Sequence, residues 1–169
     1  NASVYLCNYY SGKVKNLLAE VKKTKTTLSE KQVHKLRVDI KGIKSVFQFL
    51  EFIDPATFPE KDYYKPLKAV FKQAGKLREI HINRLSLNKY EPSDLLDCAF
   101  KKALRKKERK AREKLKKALT TFDPKKVKAI KSSLVTDALK LPEALIIKGL
   151  QGAVNDDLKA IKKRIPGRV

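Results

Sequence analysis

The stretch "SEKQVHKLRVDIKGIKSVFQFL", Ser29 to Leu50, decides the fold class of this chain. Val33, Leu36, Ile40, Ile43, Phe47 and Leu50 recur at steps of three and four, the period of a helix with one apolar face. Ser29 and Gln32 stand three apart just ahead of the seam, a capping box that starts the helix. Asp54-Pro55 ends it, because proline disfavours helix in the residue before it. Beside this seam the same helix carries His34, Arg37, Lys41 and Lys44 in a row. Like charges at helical spacing repel by about 0.2–0.5 kcal/mol per neighbouring pair. Such a row either faces open solvent or is used against an anion.

The pattern on either side is also helical. A first helix is predicted from about Val4 to Lys25, with Tyr10, Val14, Leu17, Leu18 and Val21 inward. After the proline-bearing connection "DPATFPEKD", a third doubles back over about Tyr63 to Tyr90, packing Leu67, Phe71, Ala74, Leu77 and Leu85. Pro92 precedes a cap at Ser93, and a fourth helix follows to about Thr121. Asp123-Pro124 reads as N-cap and first position of a fifth, carrying Val127, Ile130, Leu134 and Leu141. Pro142 opens a sixth, whose expected core face is Ile147, Leu150, Val154, Leu158, Ile161 and Ile165. Few glycines and no β-branched alternation argue against a sheet. The expectation is an all-α, antiparallel bundle of about five or six long helices.

Forty Lys and Arg oppose 18 Asp and Glu in 169 residues, a formal charge of +22. A hydrophobic share of 42% makes this a folding sequence, not a basic tail. The imbalance points to a polyanionic partner: nucleic acid, an anionic membrane surface or another polyanion. Cys7 and Cys98 form no metal or disulfide framework and read as free thiols of a reducing compartment. No apolar run reaches the ~18 residues a membrane span needs. The chain opens on Asn-Ala and has no Met, so it is expected to be a piece of something longer.

Catalysis finds no foothold. H-E-x-x-H, G-x-S-x-G and glycine-rich phosphate loops are all missing. His34 and His81 lack the spaced partners of a zinc or two-metal site. No catalytic residue, metal or cofactor is therefore expected.

The segment Val33 to Lys44 resembles the signature of the CHAD family, the conserved histidine α-helical domain, which reads roughly V-H-x-x-R-V-x-x-R-R-x-R. Val33, His34, Arg37, Val38, Lys41 and Lys44 fit it, with Lys for two arginines and a departure at Gly42. Further on, "KQAGKLREIHINRL", Lys72 to Leu85, resembles the family's L-G-x-x-R-D-x-D-V segment through Gly75 and Arg78, with Glu79 for the aspartate. The likeness is best over residues 4–90. It implies two similar helical halves about a pseudo-twofold, a basic groove or pore between them, and no catalysis. It also implies binding of inorganic polyphosphate and association with polyphosphate granules in the cytoplasm. The second histidine–arginine helix that the family's other half would carry is not found. On that reading residues 1–169 are a single CHAD-like domain or its N-terminal half, and a homodimer is one way to complete the groove.

The residues themselves point the same way. A base-free polyanion needs rows of cationic donors and no stacking platform. His34, Arg37, Lys41 and Lys44 on the second helix, with Lys72, Lys76 and Arg78 on the third, are the expected polyphosphate-binding set. Lys101, Arg105, Arg112 and Lys116 on the fourth could line up beside them, against the plainer reading of a solvated face. A histidine in the set implies binding that strengthens as pH falls from about 8 to 6. The alternative function is non-specific nucleic-acid binding, which charge alone serves equally well. Here, though, the aromatics sit in or beside the apolar seams, and no stacking or groove-reading motif emerges.

Overall fold

The computed structural model describes residues 1–90 and 98–164. Six helices occupy them: α1 Ala2–Thr26, α2 Glu30–Ile53, α3 Glu60–Tyr90, α4 Cys98–Thr120, α5 Pro124–Ala138 and α6 Glu143–Arg164. No strand occurs among the described residues. The chain is an all-α helical bundle.

Local chemistry sets the helix ends. Gln32 N donates to the Ser29 hydroxyl while Ser29 N donates to Gln32 Oε1, so the capping box forms in full and fixes the start of α2. Asp123 accepts from the backbone N–H groups of Lys125 and Lys126, with Pro124 opening α5 where no N–H is needed. α2 stops at Ile53, with Asp54 as its C-cap ahead of Pro55.

α2 is the centre of the bundle, packed between α1 and α3, and α4 completes the layer against α3. The order of contacts shows that α2 and α3 run antiparallel. Lys44 lies over Tyr64, Arg37 over Phe71, and Glu30 meets Arg84, so α3 numbers rise as α2 numbers fall. All six seam residues from Val33 to Leu50 are buried, with Tyr10, Leu17, Leu67, Leu77 and Leu119 around them. Tyr10, Phe47 and Tyr63 form an aromatic run across α1, α2 and α3, the first pair edge-on and the second tilted, with centroids 5.7 and 5.6 Å apart.

Three expectations of the core are corrected. Leu85 is 50% exposed, because α3 at that point has passed the N-terminus of α2. Leu141 lies beyond the end of α5, in the turn before α6, and packs on the core from there. In α6 the predicted core face is the wrong face. Ile147, Leu150, Val154 and Leu158 are exposed, while Ile146 is buried and Gly149 and Gly152 meet α2. Glycine is what lets α6 come this close. A Cβ on Gly149 would stand 2.8 Å from Ile53 Cγ1, nearer than carbon atoms approach without something moving. Pro92, Ser93, Ile165 and the side chains of Cys98 and Ile161 lie outside the described residues.

Candidate anion-binding groove

Helical position decides where each cation of α2 goes. Arg37 lies about 90° round the helix from the centre of the buried seam, the flank that meets α3. Its guanidinium carbon sits 4.5 Å from the centroid of Phe71, and Nη1 donates to the Phe71 carbonyl at 3.2 Å. Gly75, one turn on, leaves the space the guanidinium fills. Arg37 thus reaches across to the backbone of α3, with one of its five N–H donors spent on that carbonyl.

This crossing forms one end of an open groove of about 490 Å³, lined by Arg37, Phe71, Lys72, Gly75, Lys76, Arg78, Glu79, Ile82 and Asn83. Of the expected residues, the structure brings together Arg37, Lys72, Lys76 and Arg78 here. Glu79 is the one carboxylate among these lining residues. The groove's aromatic ring, Phe71, has a face covered by the guanidinium, which gains a cation–π contact there.

The rest of the α2 row is split by the turn of the helix. Lys44 shares the α3 flank, but its ammonium stands 3.8 Å from Glu60 and 5.0 Å over the ring of Tyr64. Lys41 is exposed, projecting outward between the two flanks. His34 lines a different groove, of about 430 Å³, formed with α1 and shared with Asn16, Glu20, Lys23, Lys35 and Asp39. That groove is of mixed charge. Asp39 pairs with Lys13 at 3.5 Å and Glu20 with Lys23 at 3.5 Å. Burial raises the Asp39 carboxyl above its usual range, against the pull of Lys13.

On α4, Lys101 and Arg105 line a cleft with Arg84, Leu87, Phe100, Leu104 and Glu108. Lys116 is exposed on the outer side. Arg112 is engaged in an ion network: its Nε and Nη2 donate to Glu108 Oε1 at 3.1 and 2.9 Å. Arg84 bridges Glu108 and Glu30, tying α4 to α3 and α2. His81 is fully buried beside this network, with Nε2 3.6 Å from Glu108 Oε1 and no hydrogen bond to either ring nitrogen. The sequence reading missed this cluster, although the Glu108–Arg112 spacing of four was there to suggest it.

Among the described residues no three His, Cys, Asp or Glu side chains cluster as a metal site, and no helix is long and apolar enough to cross a membrane. What the α2–α3 groove offers chemically is an open row of cationic donors around one anchored guanidinium. A family model, CHAD domain, matches residues 9–167. The match runs well past the stretch that carries the two signatures. No curated protein and no solved structure matches the chain.

Proposed function

The chain belongs to the CHAD domain family, and from that premise we propose that it is a non-catalytic module that binds inorganic polyphosphate in the groove between α2 and α3. The observation that carries this reading is Arg37 held against α3 at Phe71 and Gly75, with Lys72, Lys76 and Arg78 beyond it. Arg37 is the fixed element, able to grip a phosphate with paired N–H groups, whereas the lysines act as mobile point charges. Lys41 and Lys44 continue the cationic row along α2, and His34 is its outlying member on the α1 side. Lys101, Arg105 and Lys116 add to the long-range field that draws a polyanion in. Arg112 is occupied by Glu108 and contributes only through that field. The module acts in the cytoplasm, on or near polyphosphate granules.

Nucleic acid is the competing ligand, because phosphate charge dominates any non-specific affinity. Single-strand binders add aromatic platforms on which bases stack. In this groove the guanidinium already occupies a face of Phe71, so a base has little to stack on and a bare phosphate chain loses nothing.

A two-way competition tests the proposal. Long-chain polyphosphate should displace a labelled DNA or RNA oligonucleotide at far lower phosphate-equivalent concentration than the reverse, and Arg37→Ala should narrow the gap. Equal potency in both directions would leave only a generic basic protein. Salt weakens both kinds of complex and discriminates nothing.

A further inference from the structure

α3 has a valley on each side, and the two meet over its outer ridge. The α2–α3 groove, of about 490 Å³, and a cleft of about 660 Å³ between α3 and α4 share Lys76, Glu79 and Asn83 as lining residues. The cleft is walled by Ile80, Leu87 and Leu104, with the exposed Lys76 and Lys107 at its edges. Glu108, Ala111 and Leu115 bury one stripe of α4, and its basic residues fall on both flanks of that stripe. Lys101, Arg105 and Arg112 lie on one flank, the side of Arg84 and Glu108. On the other, Lys107, Lys110 and Lys114 follow Ala103 at steps of four, three and four, and all three are exposed. Glu113, the exposed carboxylate of α4, lies about 90° round the helix from the centre of this row. α4 numbers rise as α3 numbers fall, since Leu87 shares the cleft with Phe100 while His81 meets Glu108. From Lys107 the row therefore runs back alongside α3 toward Lys76 and Lys72.

We propose that Lys107, Lys110 and Lys114 form a second limb of the anion site, reached across Lys76, which makes the module selective for long polyphosphate chains over short ones. This rests on the reading of the α2–α3 groove as a polyphosphate site. A short chain is satisfied by Arg37, Lys72, Lys76 and Arg78 on the α2 side. A helix with its side chains is about 10–12 Å across, so only a longer chain can stay on Arg37, cross the ridge at Lys76 and still reach α4. Once the first limb is engaged, each ammonium of the second meets the same chain at high effective concentration. The walls of the cleft are apolar, so the cations at its edges, and not its depth, are what an unbranched polyanion uses. Glu79 is the one carboxylate among the lining residues along this path.

Titration calorimetry with tripolyphosphate and with long-chain polyphosphate tests this on the full chain and on two triple variants of equal charge. One combines Lys107→Gln, Lys110→Gln and Lys114→Gln; the other, on α5, combines Lys125→Gln, Lys126→Gln and Lys128→Gln. All six lysines are exposed, and glutamine has nearly the helix propensity of lysine. Circular dichroism checks that helicity is kept. The α4 variant should lose at least tenfold in affinity for the long chain and less than threefold for tripolyphosphate. The α5 variant should lose less than threefold for either, whereas Arg37→Ala should lose both ligands alike. Equal losses of long-chain affinity in the two triple variants overturn the proposal, because the α4 row then acts only through the general field. So does an α4 variant that loses both ligands by the same factor, since the site is then undivided. An Arg37→Ala protein that binds both ligands like the parent overturns the α2–α3 reading and this extension of it together, a pattern distinct from the other two.

Discussion

A Cβ placed on Gly75 would stand 2.6 Å from Nη1 of Arg37. The glycine on α3 and the arginine on α2 are therefore one device: the first makes the shelf on which the second lies. The clashing atom is the far end of a flexible side chain, so Gly75→Ala should displace the guanidinium without breaking the fold. Alanine also favours a helix interior over glycine by about 0.5–1 kcal/mol. The variant should keep or slightly raise its thermal midpoint while losing polyphosphate affinity about as much as Arg37→Ala does. A variant that binds like the parent would show that the placement of Arg37 over Gly75 has no part in binding.

Glu79 is the counterpart test. It sets a negative charge among Lys72, Lys76 and Arg78 in the groove. At a solvent-open site one carboxylate a few ångströms from a bound phosphate costs on the order of 1 kcal/mol. Glu79→Gln should accordingly tighten polyphosphate binding two- to fivefold at low salt, with the gain fading as salt rises. Titration calorimetry at two ionic strengths reads both effects. A loss of affinity would mean that Glu79 positions a neighbouring cation instead of opposing the ligand.

His34 separates the two sides of α2. If a polyanion on α3 also reaches round to the α1 groove, His34→Ala should weaken its binding. Carboxylates share that groove, so the expected effect of His34→Ala at neutral pH is small, within about twofold, against tenfold or more for Arg37→Ala. An affinity unchanged in His34→Ala removes His34 from the binding set.

The contrast between α2 and α6 shows what could be read from sequence and why. In α2 the six apolar positions fall on one flank, the opposite flank is charged, and a capping box marks the start, so period, burial and boundary agree. α6 offers two candidate faces, one aliphatic and one of small residues, and hydrophobicity alone ranks the aliphatic one inward. What decides the matter is how closely α2 approaches at Ile53, a tertiary distance that the local pattern does not contain. The site behaved similarly. Arg37, Lys72, Lys76 and Arg78 could be found from charge and spacing, and the structure brings them together. A helical wheel places His34 on its own helix but does not say which neighbour covers which flank, and the row opens onto two grooves. Phe71 reads as core from its period; its further role as the surface under Arg37 depends on a helix more than 30 residues away in the chain.

Glu108 is the shared acceptor of the ion network that joins α2, α3 and α4. Its burial works against ionisation, but hydrogen bonds from Arg112 and the charges of Arg84 and Arg112 outweigh it and hold the carboxyl below its usual range. Removing it leaves Arg112 without the acceptor of its two hydrogen bonds and Arg84 with Glu30 alone. Glu108→Ala should cost about 2–3 kcal/mol in urea unfolding, in the range of a charged hydrogen-bonded acceptor. Glu108→Gln keeps one acceptor oxygen and should recover part of the loss. Equal stability of all three proteins would mean that the network contributes nothing net.

His81 makes the protein acid-sensitive before its carboxylates titrate. Burial is the main cause that pushes the imidazole below its ordinary value of 6.5, against the pull of Glu30 and Glu108, while Arg112 and Arg84 add to the lowering. The folded protein therefore prefers neutral His81, and the unfolded chain takes up the proton first. Its contribution to stability is complete above about pH 6.5 and declines as pH falls below that value toward the lower folded pKa. Glu108 acts in the same direction further down, below the ordinary glutamate range. Urea midpoints measured from pH 7.5 to 5 should fall in the parent. In His81→Leu, which fills the buried site with a group that cannot charge, the decline over that interval should be shallower, and the two curves should converge or cross toward pH 5. Parallel curves over the whole interval would mean that His81 takes up its proton as readily in the fold as in the unfolded chain, with Glu108 compensating the buried charge in full.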